Sequence, residues 1–392
     1  MTTDIVIVGA GIAGICTAIA MRQQGYSVTV CERSAALTEV GAGIQLGPNA
    51  TRVLHALGLA EALAAIGTTP SGGGVRMAHS GRYIIRPNSR LNKTGFPYYQ
   101  CHRADLLAIL ERQARKLGVV FELGVQFQCF EQRDDGVTTY FDNGSVLHSK
   151  ALVGADGVRS GVREQLFGVQ QPEFTGNVAW RGLVPAKLLR KPIEPSIFLG
   201  PGKHFVSYYV RNGEFVNFVA IEERDDWQQE SWTQEGDVTQ LRQAYAGWNE
   251  QITDILDKVD RCFQWALFSR KPMPTWSQGK VVLVGDACHP TLPNLAQGAG
   301  MAIEDAYVLT AALKKHETDV ATAFNQFYTL RIERCAAIQT ASRKMAELLH
   351  SPSGLAQFCK FAPAAIVSRI YPALIARKVT WTHQYDATKQ VK

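Results

Sequence analysis

The 392-residue sequence predicts an α/β fold, in which a Rossmann-like nucleotide-binding domain is interrupted by a β-sheet domain and followed by C-terminal helices. Three observations predict it. A glycine-rich turn between a strand and a helix opens the chain, strand-like alternation fills its middle, and a strand followed by a long helical pattern returns after Gly279. We therefore assign residues 1–175 and 277–350 to the nucleotide-binding domain, 176–276 to a β-rich substrate domain, and 351–392 to a C-terminal helical segment.

The N-terminal residues have the pattern of a complete βαβ unit. The apolar run Ile5–Val8 predicts a buried parallel strand, and it is followed by a G-x-G-x-x-G motif made of Gly9, Gly11 and Gly14. Such glycines allow a tight turn, close approach to a pyrophosphate, and close packing of helix on sheet. A helix is expected over Ile12–Gln24 and a second strand over Ser27–Cys31, with Glu32 placed to accept hydrogen bonds from ribose hydroxyls. The pattern predicts an adenine dinucleotide whose phosphates meet the helix N-terminus.

The elements after this unit follow in order along the chain. The loop Val40–Ala50 is rich in small residues and leads into a helix near Asn49, and His102–Leu117 has the pattern of an amphipathic helix. Strands of the nucleotide-binding domain are predicted at Val119–Leu123, Val137–Phe141, Lys150–Ala155 and Lys280–Val284, before a helical region that ends near Leu349. The insertion alternates like an antiparallel sheet, with strands at Leu183–Val184, Phe198–Leu199, His204–Val210 and Phe215–Glu222.

Composition and charge favour a globular protein without nucleic-acid or membrane partners. Hydrophobic residues make up 46% of the chain, and the net charge of +6 comes from scattered Lys and Arg. The eight cysteines form no C-x-x-C pair, so we expect buried thiols in a cytoplasmic protein, and no metal site. Met1–Val8 lacks a basic region and is interpreted as a strand rather than a signal peptide. Phe361–Thr380 is apolar but interrupted by charges, which favours a docked helix over a membrane span, with a surface-associating helix as the alternative.

Two further regions combine glycine with acidic residues at predicted junctions of strand and helix. Residues 154–160 have the sequence GADGVRS; residues 285–290 have GDACHP and are followed by QGAGMA at 297–302. Each alone is a common turn, since Asp and Gly favour turns. In this order behind the N-terminal glycines, they resemble the group A flavoprotein aromatic hydroxylases, whose best-known fold is that of 4-hydroxybenzoate hydroxylase. The resemblance covers nearly the whole chain and is greatest to the salicylate hydroxylase, 3-hydroxybenzoate 6-hydroxylase and 6-hydroxynicotinate 3-monooxygenase branch.

The resemblance implies FAD as the cofactor and gives each motif a role. Asp286 corresponds to a carboxylate at the ribityl or pyrophosphate region, and Gln297–Ala302 opens a helix that faces the flavin pyrimidine ring. Arg103 matches an arginine near the FAD phosphates, while Asp156 and Arg159 match a motif that touches both FAD and NADH or NADPH. Together with the three N-terminal glycines and Glu32, the implied cofactor-binding residues are Ala13, Arg33, Gly43, Arg103, Val125, Asp156, Arg159, Asp286, Gly298, Ala299 and Gly300.

Residues of the insertion are the candidates for substrate chemistry. His204 and Tyr208 lie four apart in a predicted strand and therefore share a face. Spacing alone favours ordinary sheet residues, but their setting resembles the His and Tyr that lie over the substrate ring in hydroxybenzoate and hydroxynicotinate hydroxylases. We expect His204 to act as base or proton relay, with a pKa near working pH, and Tyr208 to orient it. Gln45, Pro293 and Asn294 are the predicted substrate-binding residues.

The function implied is a monooxygenase that uses FAD, NAD(P)H and O2 to hydroxylate a small phenolic acid of the salicylate or 3-hydroxybenzoate type through a flavin C4a-hydroperoxide. A hydroxypyridine carboxylate such as 6-hydroxynicotinate is a second possible substrate. The sequence is also compatible with an epoxidase or reductase of an apolar substrate, and with a non-catalytic binding protein that has the dinucleotide fold. The choice between NADH and NADPH, a decarboxylative reaction and a homodimer all stay open at this point.

Overall fold

The computed structural model describes residues 2–37, 42–70, 72–86, 94–224, 234–350 and 380–391. Its strands are β1 Thr2–Val8, β2 Val28–Glu32, β3 Gly43–Leu46, β4 Gly74–Met77, β5 Tyr83–Ile85, β6 Tyr99–His102, β7 Val120–Leu123, β8 Phe127–Arg133, β9 Gly136–Phe141, β10 Val146–Gly154, β11 Glu173–Pro185, β12 Ser196–Gly200, β13 Lys203–Val210, β14 Phe215–Glu223, β15 Glu235–Gly236, β16 Cys262–Ser269, β17 Ser277–Gln278 and β18 Val281–Leu283. Its helices are α1 Ile12–Gln23, α2 Pro48–Ala56, α3 Ala60–Ile66, α4 Arg103–Lys116, α5 Gly161–Phe167, α6 Val238–Ala244, α7 Glu250–Asp257, α8 Gly298–Lys315 and α9 Val320–Leu349.

The first sheet is the parallel core of the nucleotide-binding domain. Its strands lie in the order β17-β18-β10-β1-β2-β7, and β9 and β8 extend from β10. The central strand β1 is parallel to both neighbours, so that Val8 pairs with Cys31 on one side and with Gly154 on the other. The carboxyl ends of the three strands therefore meet at one edge, where ligands bind in open α/β sheets.

The helix α1 packs tightly between this sheet and α8, and its small residues make that possible. A Cβ atom added to Gly14 would overlap the carbonyl oxygen of Gly9 and press on Ala155. By contrast, nothing lies within 4 Å of a Cβ atom added to Gly11. The helix ends before Gly25, whose φ of 90° suits a residue without a side chain. Gly14 therefore differs from Gly11, because packing within the protein itself requires it.

The second sheet has the order β15-β16-β11-β14-β13-β12-β4-β5. The central strands are antiparallel, and one face is covered by α6 and α7 over a core of large aromatic side chains, which are Trp180, Phe205, Phe218 and Tyr245. The opposite face is directed toward the nucleotide-binding domain, because Ala179, Ile221 and Trp265 on that face pack against Leu292. We call this second face the inner face.

The structure confirms the predicted α/β class with a second, β-rich sheet, and the main difference from the sequence-based boundaries is the hairpin of β4 and β5. The hairpin of β4 and β5 comes from the segment assigned to the nucleotide-binding domain, yet β4 pairs in parallel with β12. The second sheet thus takes strands from residues 74–85 as well as from 173–269. The hairpin has no local signal of its partner, because β12 lies more than a hundred residues further along the chain.

Most of the predicted C-terminal helical segment lies outside the described residues. This applies to 351–379, and so to nearly all of the apolar stretch Phe361–Thr380. Residues 380–384 are helical, and Ala387–Lys389 forms a single 3₁₀ turn. No helix within the described ranges is long and apolar enough to cross a membrane.

The contrast between two glycines of the N-terminal motif gives a stability prediction. Gly14→Ala should destabilise the apoprotein by about 1–3 kcal/mol, because the new methyl group forces α1 away from the Gly9 turn. Gly11→Ala is the matched control, since its methyl group enters open space, and its melting temperature should stay near that of wild type. Equal melting temperatures for the two variants, measured by circular dichroism, would contradict this packing.

Candidate active site

Three strand ends create the first part of the candidate site. Gly9 has a φ of 105°, and a Cβ atom there would collide with the backbone of Ala155 after β10. Glu32 ends β2 and its carboxylate accepts hydrogen bonds from the backbone amides of Ala10 and Ser34, at 2.9 and 3.0 Å. These bonds hold the Glu32 side chain beside the glycine turn, where the sequence predicted a ribose contact. Two other predicted cofactor residues adjoin it: Val125 donates its amide to the Glu32 carbonyl oxygen, and Arg33 is exposed next to it.

Two helix N-termini open at this edge of the sheet. The residues before α1 and α8 are Gly11 and Gln297, and neither makes a side-chain capping hydrogen bond within the described residues. Space is open beside Gly11, and a Cβ atom at Gly298 would meet only the Thr291 methyl group at 3.5 Å. Uncapped amides at helix starts bind anions, because the N–H groups and the helix dipole both favour negative charge. Ala299 and Gly300 supply the next amides of the α8 start.

Asp286 lies at the end of β18 between these helix starts. The preceding Gly285, with φ of 61°, fits against Ala13 and Ala302, which brings the turn close to α1 and α8. Asp286 is exposed, although many protein atoms lie around its carboxyl group. Those surroundings raise the pKa of Asp286, while the positive charges of His289 and Arg103 lower it. The two predicted residues Arg103 and Asp286 are therefore neighbours.

Asp156 and Arg159 lie in the loop between β10 and α5. One Asp156 oxygen accepts from the Val162 amide at 3.2 Å, and the other is buried without a partner in the described part of the chain. Burial raises the pKa of Asp156. Arg159 is exposed. The buried Arg163, which sequence reasoning missed, ties this loop to the Asp286 loop by donating to the carbonyl oxygens of Val158 and Ala287, at 2.8 and 3.2 Å.

These features fit FAD. Among the described residues, α1 and α8 start without side-chain caps, an acidic side chain stands at the end of β2, and a second, exposed one follows β18. Phosphates, ribose hydroxyls and a ribityl chain are the groups such donors and acceptors bind. Most of the predicted cofactor residues lie along this edge; Gly43 differs, because its amide donates to the Asn217 Oδ1 of β14 at 2.6 Å.

A buried ionic cluster fixes α8, and sequence reasoning did not foresee it. Glu304 accepts two hydrogen bonds from Arg334, at 2.7 and 2.8 Å, and lies 2.7 Å from Arg331. Asp305 binds Arg331 at 2.8 Å and His289 at 2.5 Å, and it also accepts from the Gly285 amide. Although burial alone would raise the pKa of both carboxyl groups, the adjacent cations lower it. Both buried carboxylates of α8 are thus paired with cations.

His204 and Tyr208 both lie on the inner face of the second sheet, as their spacing predicted. On this face Tyr208 stands opposite Asn217, and His204 stands opposite Ile221. A Cβ atom at Gly43 would touch the Tyr208 hydroxyl at 2.5 Å, so β3 of the first domain lies directly over Tyr208. Arg181 is on the same face, with its guanidinium 4.9 Å from the Trp265 ring. Nothing in the local sequence distinguished His204 and Tyr208 from ordinary strand residues.

A group of neutral hydrogen-bonding side chains joins β3 to the inner face. Gln45 accepts a hydrogen bond from the Tyr98 hydroxyl and also binds the Tyr208 hydroxyl. Burial raises the pKa of both tyrosines. The ring of His383 lies 5.6 Å from Tyr98, and burial lowers the pKa of His383 to about 4. Gln45 was predicted; Tyr98 and His383 were missed, since no motif surrounds either of them.

The surroundings of His204 correct one expectation. Its Nδ1 lies 2.8 Å from Nε2 of His350, at the end of α9. Burial, with a smaller effect of His350, lowers the pKa of His204 to about 3, far below the value near neutrality that the sequence suggested. The imidazole is therefore neutral at working pH and carries a lone pair on one nitrogen.

Pro293 and Asn294 lie between the inner face and α9. Pro293 is exposed and lines a small cavity of about 90 Å³ together with Asp286 and Trp265. The Asn294 amide donates instead to the Ser342 carbonyl oxygen at 3.3 Å. Ser342 in turn donates to the Leu292 carbonyl oxygen at 2.7 Å. The cavity adjoins Pro293, while the Asn294 amide nitrogen is engaged with α9.

Comparison with known proteins gives consistent results. Residues 2–334 match the family described as FAD binding domain. The chain is 36% identical over 356 residues to a 3-amino-4-hydroxybenzoate 2-monooxygenase, PtnB3, of Streptomyces platensis, with 89% of each chain covered. It is 35% identical over 355 residues to a 3-hydroxybenzoate 6-hydroxylase of Polaromonas naphthalenivorans, with 88% of each chain covered.

The fold also matches that of a solved protein. A salicylate hydroxylase in a substrate complex superimposes with a TM-score of 0.82 at 24% identity, over 100% of this chain and 97% of that one. At this identity the likeness concerns the fold. Its extent includes both sheets described above.

The position of Glu32 predicts its contribution to cofactor affinity. Glu32→Ala should raise the FAD dissociation constant roughly tenfold or more, because charged hydrogen bonds are worth about 1.5–3 kcal/mol each. Glu32→Gln keeps the size of the side chain but removes its charge, so its affinity should lie between those of wild type and Glu32→Ala. Fluorescence titration of apoprotein with FAD measures this, and unchanged affinity in Glu32→Ala would remove the ribose assignment.

The lowered pKa of His204 predicts acid sensitivity. In the folded protein His204 stays neutral down to about pH 3, whereas the unfolded imidazole takes up a proton near 6.5. The unfolded chain thus binds more protons between these values, so the free energy of unfolding falls as pH falls through that window, by about 1.4 kcal/mol per pH unit for this group.

His204→Gln should therefore make the urea midpoint less dependent on pH between about 6.5 and 4.5. His148→Gln, at an exposed position of β10, is the control and should keep the wild-type dependence. If the urea midpoint of His204→Gln depends on pH as strongly as that of wild type, the imidazole of His204 is not held neutral in the folded protein.

Proposed function

This chain belongs to the FAD-binding-domain family of flavoprotein aromatic monooxygenases, and we propose that it hydroxylates a small aromatic acid bearing a ring hydroxyl group. O2 supplies the oxygen atom and NADH or NADPH supplies the electrons. The related enzymes named above act on hydroxylated benzoates. A hydroxypyridine carboxylate such as 6-hydroxynicotinate has the same pair of substituents and belongs to the same substrate class.

One observation carries the proposal. The inner face of the second sheet meets the FAD-binding domain at Gly43 over Tyr208, at Leu292 against Ile221 and at His350 beside His204. His204 and Tyr208 both belong to β13 and lie on that face, next to β14. A substrate held there would be bounded by the sheet, by strand β3 and by the loop that contains Leu292. Arg181 adds a positive charge to this face and favours an anionic substrate.

The chemistry divides between cofactor and protein. Bound FAD would, once reduced, activate O2, and O2 supplies the oxygen atom that enters the ring. The protein must bind the ring, deprotonate its hydroxyl group and exclude water. His204 accepts the hydroxyl proton on its free imidazole nitrogen, since burial keeps that imidazole neutral. Tyr208 and Gln45 orient the ring by hydrogen bonds, because the raised pKa keeps the Tyr208 hydroxyl protonated.

The nicotinamide nucleotide binds transiently from the surface. Arg159 is exposed beside the FAD edge and carries the charge that a nucleotide phosphate needs, and Asp156 lies three residues before it. The seven cysteines in the described ranges are free thiols, and burial raises the pKa of Cys16, Cys31, Cys101, Cys262 and Cys288. Unreactive buried thiols suit a reducing compartment, and we propose the cytoplasm.

The function is tested by substrate-stimulated oxidation of NADH and NADPH. The panel consists of salicylate, 3-hydroxybenzoate, 4-hydroxybenzoate, 3-amino-4-hydroxybenzoate and 6-hydroxynicotinate, with benzoate as the control that lacks a ring hydroxyl. We expect a yellow holoenzyme that forms hydroxylated product from at least one panel acid, detected by mass spectrometry. No product from any of them, together with turnover of an apolar alkene, would instead favour an epoxidase.

Variants of the inner face test the assignment of roles. His204→Phe should retain FAD and lose hydroxylation by roughly 10²–10⁴-fold, the usual contribution of a positioned acid–base group. Tyr208→Phe should lose less, since it removes one orienting hydrogen bond. Turnover per bound flavin and uncoupled peroxide are the measurements, and normal turnover in His204→Phe would show that His204 is not the base.

A further inference from the structure

We propose that His350 and Glu223 carry the proton that His204 removes from the substrate hydroxyl out to solvent. The inference rests on the hydroxylase function proposed above. It assigns no contact with substrate to either residue; both act through His204 and are positioning residues. Neither belongs to a motif that the sequence singled out, and both lie away from the edge of the first sheet where FAD is expected to bind.

The three side chains form one continuous line from the inner face to the surface. His204 Nδ1 is 2.8 Å from His350 Nε2, and His350 Nδ1 is 3.5 Å from Glu223 Oε1. Both histidines are buried, with the His350 side chain 3% exposed, whereas the Glu223 side chain is 57% exposed. Each residue comes from a different element: β13, the end of α9 and the end of β14. The buried imidazole of His204 is thereby linked to the solvent-exposed carboxylate of Glu223.

The order of donors and acceptors along the line follows from the carboxylate at its end. Glu223 Oε1 lies 3.5 Å from His350 Nδ1, which is an ion-pair contact rather than a direct hydrogen bond, and a carboxylate at this position favours the His350 tautomer with its hydrogen on Nδ1. A neutral His350 then accepts on Nε2, and His204 must donate from Nδ1. This leaves the lone pair of His204 on Nε2, which has no hydrogen-bond partner among the residues that the structure describes. The nitrogen left available is the one needed to take a proton from a substrate.

The low pKa of His204 makes onward transfer necessary. Burial disfavours the imidazolium form, so a proton taken from a phenol cannot remain on His204. Other charged groups nearby point elsewhere: Lys203 and Arg224 both pair with Glu222, which lies on the opposite face of β14. Among the described residues, the path through His350 lets the proton leave while the buried imidazole of His204 stays neutral.

The transfer balances at every atom. The substrate O–H bond breaks and an N–H bond forms at His204 Nε2, while the Nδ1 proton of His204 moves to His350 Nε2. The Nδ1 proton of His350 then passes to Glu223, through a bridging water or after a small side-chain movement that closes the 3.5 Å separation, and on to solvent. Both imidazoles end neutral in the other tautomer and the substrate remains as phenolate. Reverse transfer restores the starting tautomers when product leaves in its protonated form.

The experiment follows proton release when substrate binds to the oxidised holoenzyme. The substrate is the panel acid that most stimulates NAD(P)H oxidation, and a pH indicator in weakly buffered solution reports the released proton in a stopped-flow instrument. We expect wild type to release a proton with the same rate as phenolate formation, seen by the ultraviolet change of the bound acid. His350→Gln should slow both by roughly 10²-fold, the lower end of the effect of an acid–base group.

Three further variants, one of them a control, separate a proton path from a structural role. Glu223→Gln changes an exposed side chain and should therefore leave folding intact, while it should slow proton release severalfold. Glu214→Gln is its matched control, an exposed carboxylate at the other end of the β13–β14 pair, and should behave as wild type. His350→Ala should regain rate when imidazole is added, which a residue needed only for packing would not do.

The outcomes are distinguishable. Fast proton release and normal turnover per flavin in both His350→Gln and Glu223→Gln would overturn the path while leaving the hydroxylase function intact. Lower FAD content in His350→Ala without rescue by imidazole would also overturn it, in favour of a structural role for His350. If wild type turns over none of the panel acids, the proposed function fails first and the proton path fails with it.

Discussion

The charged side chains buried around α8 fix the α8 start and the turn after β18 in position relative to the inner face of the second sheet. Unpaired charge in such a place costs about 3–5 kcal/mol, so the ion pairs of Glu304 and Asp305 with Arg331 admit few alternative arrangements. Through Asp305 the same cluster binds the Gly285 turn, and through Arg334 it binds the carbonyl oxygen of Thr382 near the C-terminus. The α8 start, the turn after β18 and the long helix α9 are therefore positioned as one unit.

That unit meets the second sheet along the inner face. Helix α9 reaches the face at its C-terminal end, where His350 contacts His204, and the loop after the β18 turn reaches it at Leu292. Strand β3 approaches from the other side, over Tyr208. The residues proposed to bind the flavin and those proposed to face the substrate are thus held by a shared framework, which would keep distances short between groups that must react.

Local sequence patterns were sufficient to predict the positions of some residues of the candidate site and not of others. The glycine turn and Glu32 are close in sequence and belong to one βαβ unit, so their proximity followed from regular geometry alone. Asp286 and the α8 start were predicted through family resemblance, because each is only a common turn by itself. Tyr98 and His350 could not be predicted: each reaches the site from a distant segment, and the His350 contact spans 146 residues. The low pKa of His204 was missed for the same reason, since the burial that causes it depends on elements far along the chain.

The strand order of the first sheet has a consequence for how the chain is made. Strand β1 is synthesised first and lies at the centre, yet its neighbour β10 ends at Gly154 and the next strand, β18, ends at Leu283. A nascent chain therefore holds a parallel sheet with an open edge until the entire inserted sheet has emerged from the ribosome. Such long-range pairing is slow and exposes an edge to wrong partners, so the early sheet is a natural client for a chaperone. Chains interrupted inside the insertion lack β18 and α8, which complete the parallel core, and become substrates for proteolysis.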